Sequence, residues 1–427
     1  MNQIKKYPLD NSAIVHLAAR EKTHTNSFRI SVTLAEKVCP FTLQKALDQI
    51  YRRFPTIVAG ITKCTFQYEV IPVIKPLRIA EDQEYLAYME EDEISACAMR
   101  VLYKGEKVSV EIFHALTDGY GGLTFMRALL AEYILLKNGG SAGNGKKFYF
   151  EERGDGEKET RDDFLTYADN KKVLSNHRKV YCLPGGGAEK SKRTHVITGL
   201  YNVQEVLDIA HKFQVSLTSL LTAVLAKSVI DMEAEEKGKE PEPIQIMVPV
   251  NLRRKFQSMS LRNFSLYALP CVETSQFSAP FEKLVKIIDR QLKQQSSKEY
   301  LAGMISANVK LQELRAVRWT PLKIKEAAIR LCYHYFGERN SCLSLSNLGE
   351  ITFPDPMERY VKRVEFVLSP RRNAPYNCGV ATYQGTLFIN FSRRLEEGGL
   401  DKIFFRHLSG LGISGNFEFD GKPMYCK

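Results

Sequence analysis

The stretch from Val108 to Leu136 constrains the fold most, because its hydrophobic period changes in the middle. Val108, Val110 and Ile112 alternate with Ser109, Glu111 and Phe113, which is the period of a strand. Gly119, Gly121 and Gly122 interrupt it, and from Leu123 the apolar residues recur at helical spacing through Phe125, Met126, Leu129, Leu130, Tyr133, Ile134 and Leu136. The segment therefore reads as strand, tight turn, helix. His114 stands where the strand ends and Asp118 stands in the turn. Histidine accepts a proton near neutral pH, so an imidazole at a strand end facing a cleft is a candidate general base. Asp118, on a turn closed by Gly119, is placed to bond the backbone and a distant cation. That would fix how the imidazole points, an orienting role.

A chain of 427 residues is long for one hydrophobic core, and two packed lobes are expected. Lys137 to Lys147 contains Gly140-x-x-x-x-Gly145-Lys146, but Lys147 stands where a phosphate-cradling loop needs Ser or Thr, and the segment follows a helix. It reads as a mobile loop. With the charged residues 151–163 and the glycines 185–187, it places an N-terminal lobe at 1–150, a linker region at 151–190 and a C-terminal lobe at 191–427.

Other segments have plainer signals. Residues 11–19 and 27–34 read as strands, 41–54 as an amphipathic helix stopped before Pro55, and 81–94 as an acidic helical piece. Residues 97–103 and 107–113 form a hairpin that delivers His114, so the first lobe is α+β with a mostly antiparallel sheet. In the second lobe, Ser216 is placed to cap an apolar helix that runs to Ile230. A buried strand from Ile244 ends in Asn251, followed by Arg253 and Arg254. Another ends in Ser346, Asn347 and Gly349. A hairpin turns at Gln384-Gly385, a helix closes the chain near 400–411, and Arg371, Arg372, Arg393 and Arg394 lie where they could meet phosphates.

Composition narrows the partners. Sixty Lys and Arg against 49 Asp and Glu leave a net charge of +11, yet no zinc-finger spacing, RNA-binding strand or basic heptad accompanies it. The surplus fits a soluble polyphosphorylated small molecule better than nucleic acid. No apolar run reaches membrane-spanning length and residues 1–8 lack the core of a secretory signal, which predicts a cytoplasmic protein. Nine cysteines without a Cys-x-x-Cys pair fit reduced, mostly buried thiols, with no metal site expected.

His114-Ala-Leu-Thr-Asp118-Gly119 resembles the His-x-x-x-Asp-Gly signature of the coenzyme A-dependent acyltransferase superfamily, which includes chloramphenicol acetyltransferases, condensation domains and alcohol acetyltransferases. Pro249-Val-Asn-Leu-Arg253 resembles the Pro-Val-Asn-x-Arg segment of condensation domains, and Ser346-Asn-Leu-Gly349 the Ser-Asn-x-Gly element of alcohol acetyltransferase-like enzymes. Arg53-Phe54-Pro55 is similar to the run that ends the family's first helix. Phe113 replaces the first of two histidines found in several relatives, and the Asp-Phe-Gly-Trp-Gly element of the plant enzymes is absent.

The resemblance implies two chloramphenicol acetyltransferase-like α/β lobes, each an antiparallel-rich mixed sheet with helices, meeting along an active-site tunnel. It implies catalysis by His114, with Asp118 paired to Arg253, Gly119 in a structural role, and Asn251, Ser346 and Asn347 in the substrate cleft. Acyl-coenzyme A would be the co-substrate, with no bound cofactor, and a small alcohol or amine the acceptor. Two alternatives stay open: a condensation-type enzyme that takes its acyl group from an acyl carrier protein, and a non-catalytic relative that binds acyl groups.

Overall fold

Alternating apolar residues build two large sheets, and the polar residues between them are buried almost as deeply. The structure is a computed structural model and describes residues 5–18, 20–22, 24–139, 156–168, 179–183, 190–234, 242–313, 319–332, 340–355, 357–371 and 374–424. The first sheet has five strands, in the spatial order Val361–Leu368, Ser27–Leu34, Lys107–Phe113, Met99–Lys104 and Ala80–Glu81. All its pairs are antiparallel except the last. Phe28, Ile30 and Val32 share a core with Val108, Val110 and Ile112 and with Leu43, Leu47, Phe125 and Leu129 of the helices Pro40–Ile50 and Gly119–Lys137.

The alternate residues of these strands form a buried polar layer. Arg29 donates to Glu111 at 3.0 Å and to Ser109 at 2.8 Å, and is paired with Asp82. Lys107 meets Glu365 at 2.6 Å, and Arg363 reaches Glu418 at 2.8 Å on the strand Gly415–Phe419 of the other sheet. This layer lies between the sheets, so the polar positions of the alternating strands are buried and paired with one another.

The second sheet has nine strands, of which eight follow the order Ser265–Ala268, Ile244–Asn251, Leu343–Glu350, Tyr376–Tyr383, Thr386–Leu395, Lys190–Asn202, Gly415–Phe419 and Lys422–Met424. Leu343–Glu350 runs parallel to both of its neighbours, and the other pairs are antiparallel. The helix Leu217–Ala234 is buried against this sheet, and Ser216 Oγ accepts a hydrogen bond from Ser219 N at 3.0 Å, the capping contact expected from the sequence. Ser216→Ala should therefore cost about 1 kcal/mol, a small fall in melting temperature with unchanged activity. No shift, measured by calorimetry, would mean that the cap is redundant with the Ser219–Asp289 bond.

Three segments differ from their sequence reading. Asn11–Ala18 is a helix, not a strand: Asp10 caps it by accepting from Ala13 N at 3.0 Å, a signal that the unbroken apolar run Ala13-Ile-Val conceals. Of 81–94, only the last four residues are helical, as the start of Glu91–Ala96; Glu81, Glu84, Glu90, Glu91 and Asp92 are exposed, and Asp82 is instead paired with the buried Arg29. Val361–Leu368, assigned by sequence to the 191–427 lobe, joins the first sheet beside Ser27–Leu34. The chain then crosses to Tyr376–Tyr383, where the strands approach so closely that a Cβ on Gly379 would lie 2.1 Å from the Phe366 carbonyl oxygen. Of the glycine-rich loop 137–147, Lys137 ends the helix Gly119–Lys137 and Asn138 caps it, while 140–147 lie outside the described residues, as do 151–155, 169–178 and 184–189 of the linker region.

No single helix among the described residues is long and apolar enough to cross a membrane.

Candidate active site

The strand Lys107–Phe113 ends where Phe113 N bonds Ala98 O at 3.0 Å, and the chain turns as Leu116 N bonds back to Phe113 O at 3.0 Å. His114 N is held by Asn26 O at 2.9 Å, and Asn263 Nδ2 donates to the carbonyls of His114 at 2.9 Å and Ala115 at 3.3 Å. The backbone that carries His114 is thus gripped from both large sheets' sides, and the imidazole is left to face a cavity of about 1720 Å³.

The His114 ring stacks on His16, with centroids 4.4 Å apart and planes 11° from parallel, and meets the edge of Phe28 at 5.3 Å. Its Nδ1 is buried without a hydrogen-bond partner. Burial holds the His114 pKa below the usual imidazole value, while its own carbonyl, Asp118 and Asn263 act the other way. His16 is held well below the usual value, first by burial and then by His114. Both rings are therefore neutral at neutral pH, and a proton on one opposes a proton on the other. His16 was hidden in the sequence because 11–19 reads as a strand; the Asp10 cap was the available signal for the helix that brings it to the cavity.

Asp118 caps the helix Gly119–Lys137, its Oδ1 accepting from Tyr120 N at 3.2 Å and Gly121 N at 3.3 Å. Its Oδ2 accepts from Phe264 N at 2.9 Å and from Arg253 Nη1 at 2.8 Å. A carboxylate suits this place because it answers both the open N–H groups and the positive end of the helix. Arg253 is 4% exposed and Asp118 5%. The guanidinium also donates through Nε to Ser260 O at 2.6 Å, through Nη2 to Arg262 O at 2.5 Å and through Nη1 to Asn251 Oδ1 at 3.2 Å, and it lies 4.6 Å from the Tyr120 ring centroid. Asp118, Asn251 and Arg253 form one hydrogen-bonded unit that fastens the His114 loop to the segment 251–264.

Of the residues singled out by sequence, His114, Asp118, Gly119, Asn251, Ser346 and Asn347 line the same cavity, and Arg253 stands behind Asp118. Gly119 does not close a turn; it is the first residue of the helix, with no left-handed backbone, and a Cβ there would come 2.8 Å from the Leu348 side chain. Asn347 is engaged, donating to Thr218 Oγ1 at 3.1 Å and accepting from Gly349 N at 2.8 Å. The Ser346 hydroxyl has no hydrogen-bond partner among the described residues, although its backbone pairs with the strand Tyr376–Tyr383. Arg371 lines the cavity and donates to Ser341 Oγ at 2.8 Å, whereas Arg393 is spent on Asp401 at 2.5 Å and Arg394 on the Lys22 carbonyl at 3.0 Å. Arg372 lies outside the described residues.

Two mixed sheets flanked by helices, with the histidine loop and the arginine segment facing each other across a cavity, make the two-lobed chloramphenicol acetyltransferase-like fold. No family model matches the chain, and no curated protein matches its sequence. Solved structures do match it. The TRI3 trichothecene 15-O-acetyltransferase of Fusarium sporotrichioides has a TM-score of 0.61 and 12% identity, covering 95% of this chain and 94% of that one. F. sporotrichioides TRI101, crystallised with coenzyme A and T-2, has a TM-score of 0.62 and 11% identity over 94% and 96% of the two chains. The starter condensation domain of rhizomide synthetase RzmA, in complex with C8-CoA and Leu-SNAC, has a TM-score of 0.58 and 11% identity over 95% and 94%.

Proposed function

We propose that the protein is an acyltransferase that moves an acyl group, acetyl in the simplest case, from acyl-coenzyme A to the hydroxyl of a small-molecule acceptor. The observation that carries this reading is an imidazole open to a large cavity, on a loop locked in place by the Asp118–Arg253 unit, where burial disfavours its protonated form. The fold is shared with one protein described as a trichothecene 15-O-acetyltransferase and with another crystallised with coenzyme A, which supports the choice of donor.

His114 Nδ1 is buried, so Nε2 is the nitrogen that takes the acceptor's proton. The acceptor oxygen attacks the thioester carbonyl, and the tetrahedral oxyanion needs a donor; the Ser346 hydroxyl suits this role better than Asn347, whose amide is engaged. Collapse breaks the carbon–sulfur bond, and the thiol leaves with the proton from His114. Asp118 takes no proton: its carboxylate is consumed by three N–H groups and Arg253, and it acts by holding the loop.

The low pKa of His114 sets the pH dependence. The base works when neutral, so kcat/KM should be flat above neutrality and fall as pH drops through a value below the ordinary imidazole pKa of about 6.5. A pH–rate profile checks this; an acid limb at or above the ordinary value would mean that His114 is not the titrating base. Thiol release from a series of acyl-CoA donors with a panel of alcohols and amines tests the reaction itself. Release from free acyl-CoA supports the reading, release only from acyl-carrier protein would favour the condensation-type alternative, and none from either would leave a non-catalytic acyl-binding protein.

A further inference from the structure

The cavity is larger than the roughly 300–1,000 Å³ of most ligand sites, and its walls are chemically unequal. From the second sheet come the amides and hydroxyls of Asn251, Ser344, Ser346 and Asn377, set among Met247, Pro249 and Leu266. The opposite wall is made by the helices Asn11–Ala18 and Leu322–Cys332 and by the turn between the strands Ala59–Lys63 and Tyr68–Pro72. It presents Ile14, Phe66, Trp319, Leu322, Ile324 and Ile329. His16, against which His114 stacks, belongs to this apolar side.

The apolar wall is a built feature. Leu322 N bonds Thr65 O at 3.0 Å, Lys325 Nζ bonds Phe66 O at 2.9 Å, and Glu326 pairs with Lys63 at 3.3 Å and accepts from the Tyr68 hydroxyl. These bonds fasten the helix to the turn. Phe66 and Trp319 then meet edge to face with centroids 5.8 Å apart at the mouth. Trp319 is 66% exposed and Ile324 59%, so the mouth offers large apolar side chains to water next to an apolar interior. Clustered exposure of this kind marks a binding surface.

We propose that one substrate carries an extended hydrocarbon body that lies along this wall, with Phe66 and Trp319 setting specificity at the mouth. The body is either a long acyl chain on the donor or a long alkyl chain on the acceptor. The naming of these substrates rests on the acyl-transfer reading, whereas the existence of the apolar subsite does not.

The test has two arms and a readout independent of turnover. In one arm, a 1-alkanol series from ethanol to dodecanol is offered with acetyl-CoA; in the other, acetyl- to palmitoyl-CoA with ethanol. Displacement of a fluorescent fatty-acid probe by the same compounds reports binding alone. Affinity should tighten about 3- to 4-fold per added methylene in at least one arm until the wall is filled. Trp319→Ala and Phe66→Ala, each at the exposed mouth, should flatten that dependence, with circular dichroism verifying the fold of each variant. Dependence on alcohol length assigns the body to the acceptor, and dependence on acyl length to the donor; either supports the proposal. Affinity independent of chain length in both arms, or a dependence unchanged in both variants, overturns it. Chain-length-dependent displacement without thiol release would keep the subsite and remove the acyl-transfer reading. Transfer to short substrates alone would do the reverse.

Discussion

His114→Ala should lower kcat/KM by about 10²- to 10⁴-fold while moving the melting temperature little. The expected loss is that of a general base, since the proposed mechanism gives the ring no other task. The small stability effect follows from the surroundings. The loop is held by backbone atoms, His114 N to Asn26 O and the His114 carbonyl to Asn263, and alanine keeps both. The imidazole contributes stacking on His16 and an edge contact with Phe28, interactions of about 0.5–1.5 kcal/mol each at most. Its Nδ1 has no partner to leave behind. A variant that fails to fold, or one that keeps most of its activity, would make His114 a structural residue.

The second large effect concerns the unit behind it. Asp118→Ala and Arg253→Ala should each cost ~3–5 kcal/mol, because each leaves a buried partner charge without its counterion. Both should also lower activity, since the loop that presents His114 is fastened through them. Asp118→Ala should be the more damaging, for it also removes the helix cap and the acceptor of Phe264 N. The double variant should be much less damaged than the sum of the two, with a coupling of about 0.5–3 kcal/mol, the range of residues in direct contact. Asp118→Asn retains an acceptor for Tyr120 N and Gly121 N and should fall between wild type and alanine. A double-mutant cycle on the unfolding transition is the measurement; strict additivity would mean that the pair does not act as one unit.

Local features of the fold were legible in the sequence, and neighbourhood was not. The change of period between Val108 and Leu136 is written in consecutive residues, and it matches the strand Lys107–Phe113 and the helix Gly119–Lys137. Ser216 announces the helix from Leu217 in the same local way. By contrast, the alternation in 361–368 shows a strand but carries no information that its partner is Ser27–Leu34, more than 300 residues earlier. At the site, the likeness of two short motifs to one family linked Asp118 with Arg253; nothing in their spacing would have done so. His16 was missed because the short apolar run Ala13-Ile-Val within 11–19 fits both a strand and a helix. The apolar wall was missed because Phe66 and Trp319 meet only in the folded chain. Acidic residues in 81–94 were read as helical, but charge alone does not supply a buried face.

The account stands on direct, base-catalysed transfer at His114, and intact-protein mass spectrometry during turnover, run beside mass analysis of the product, tests that most directly. Wild type with an accepted acyl-CoA and alcohol should form the ester while the protein mass stays unmodified, and His114→Ala should form almost none. A covalent acyl-protein that decays into product, or ester formed equally well by His114→Ala, would contradict it.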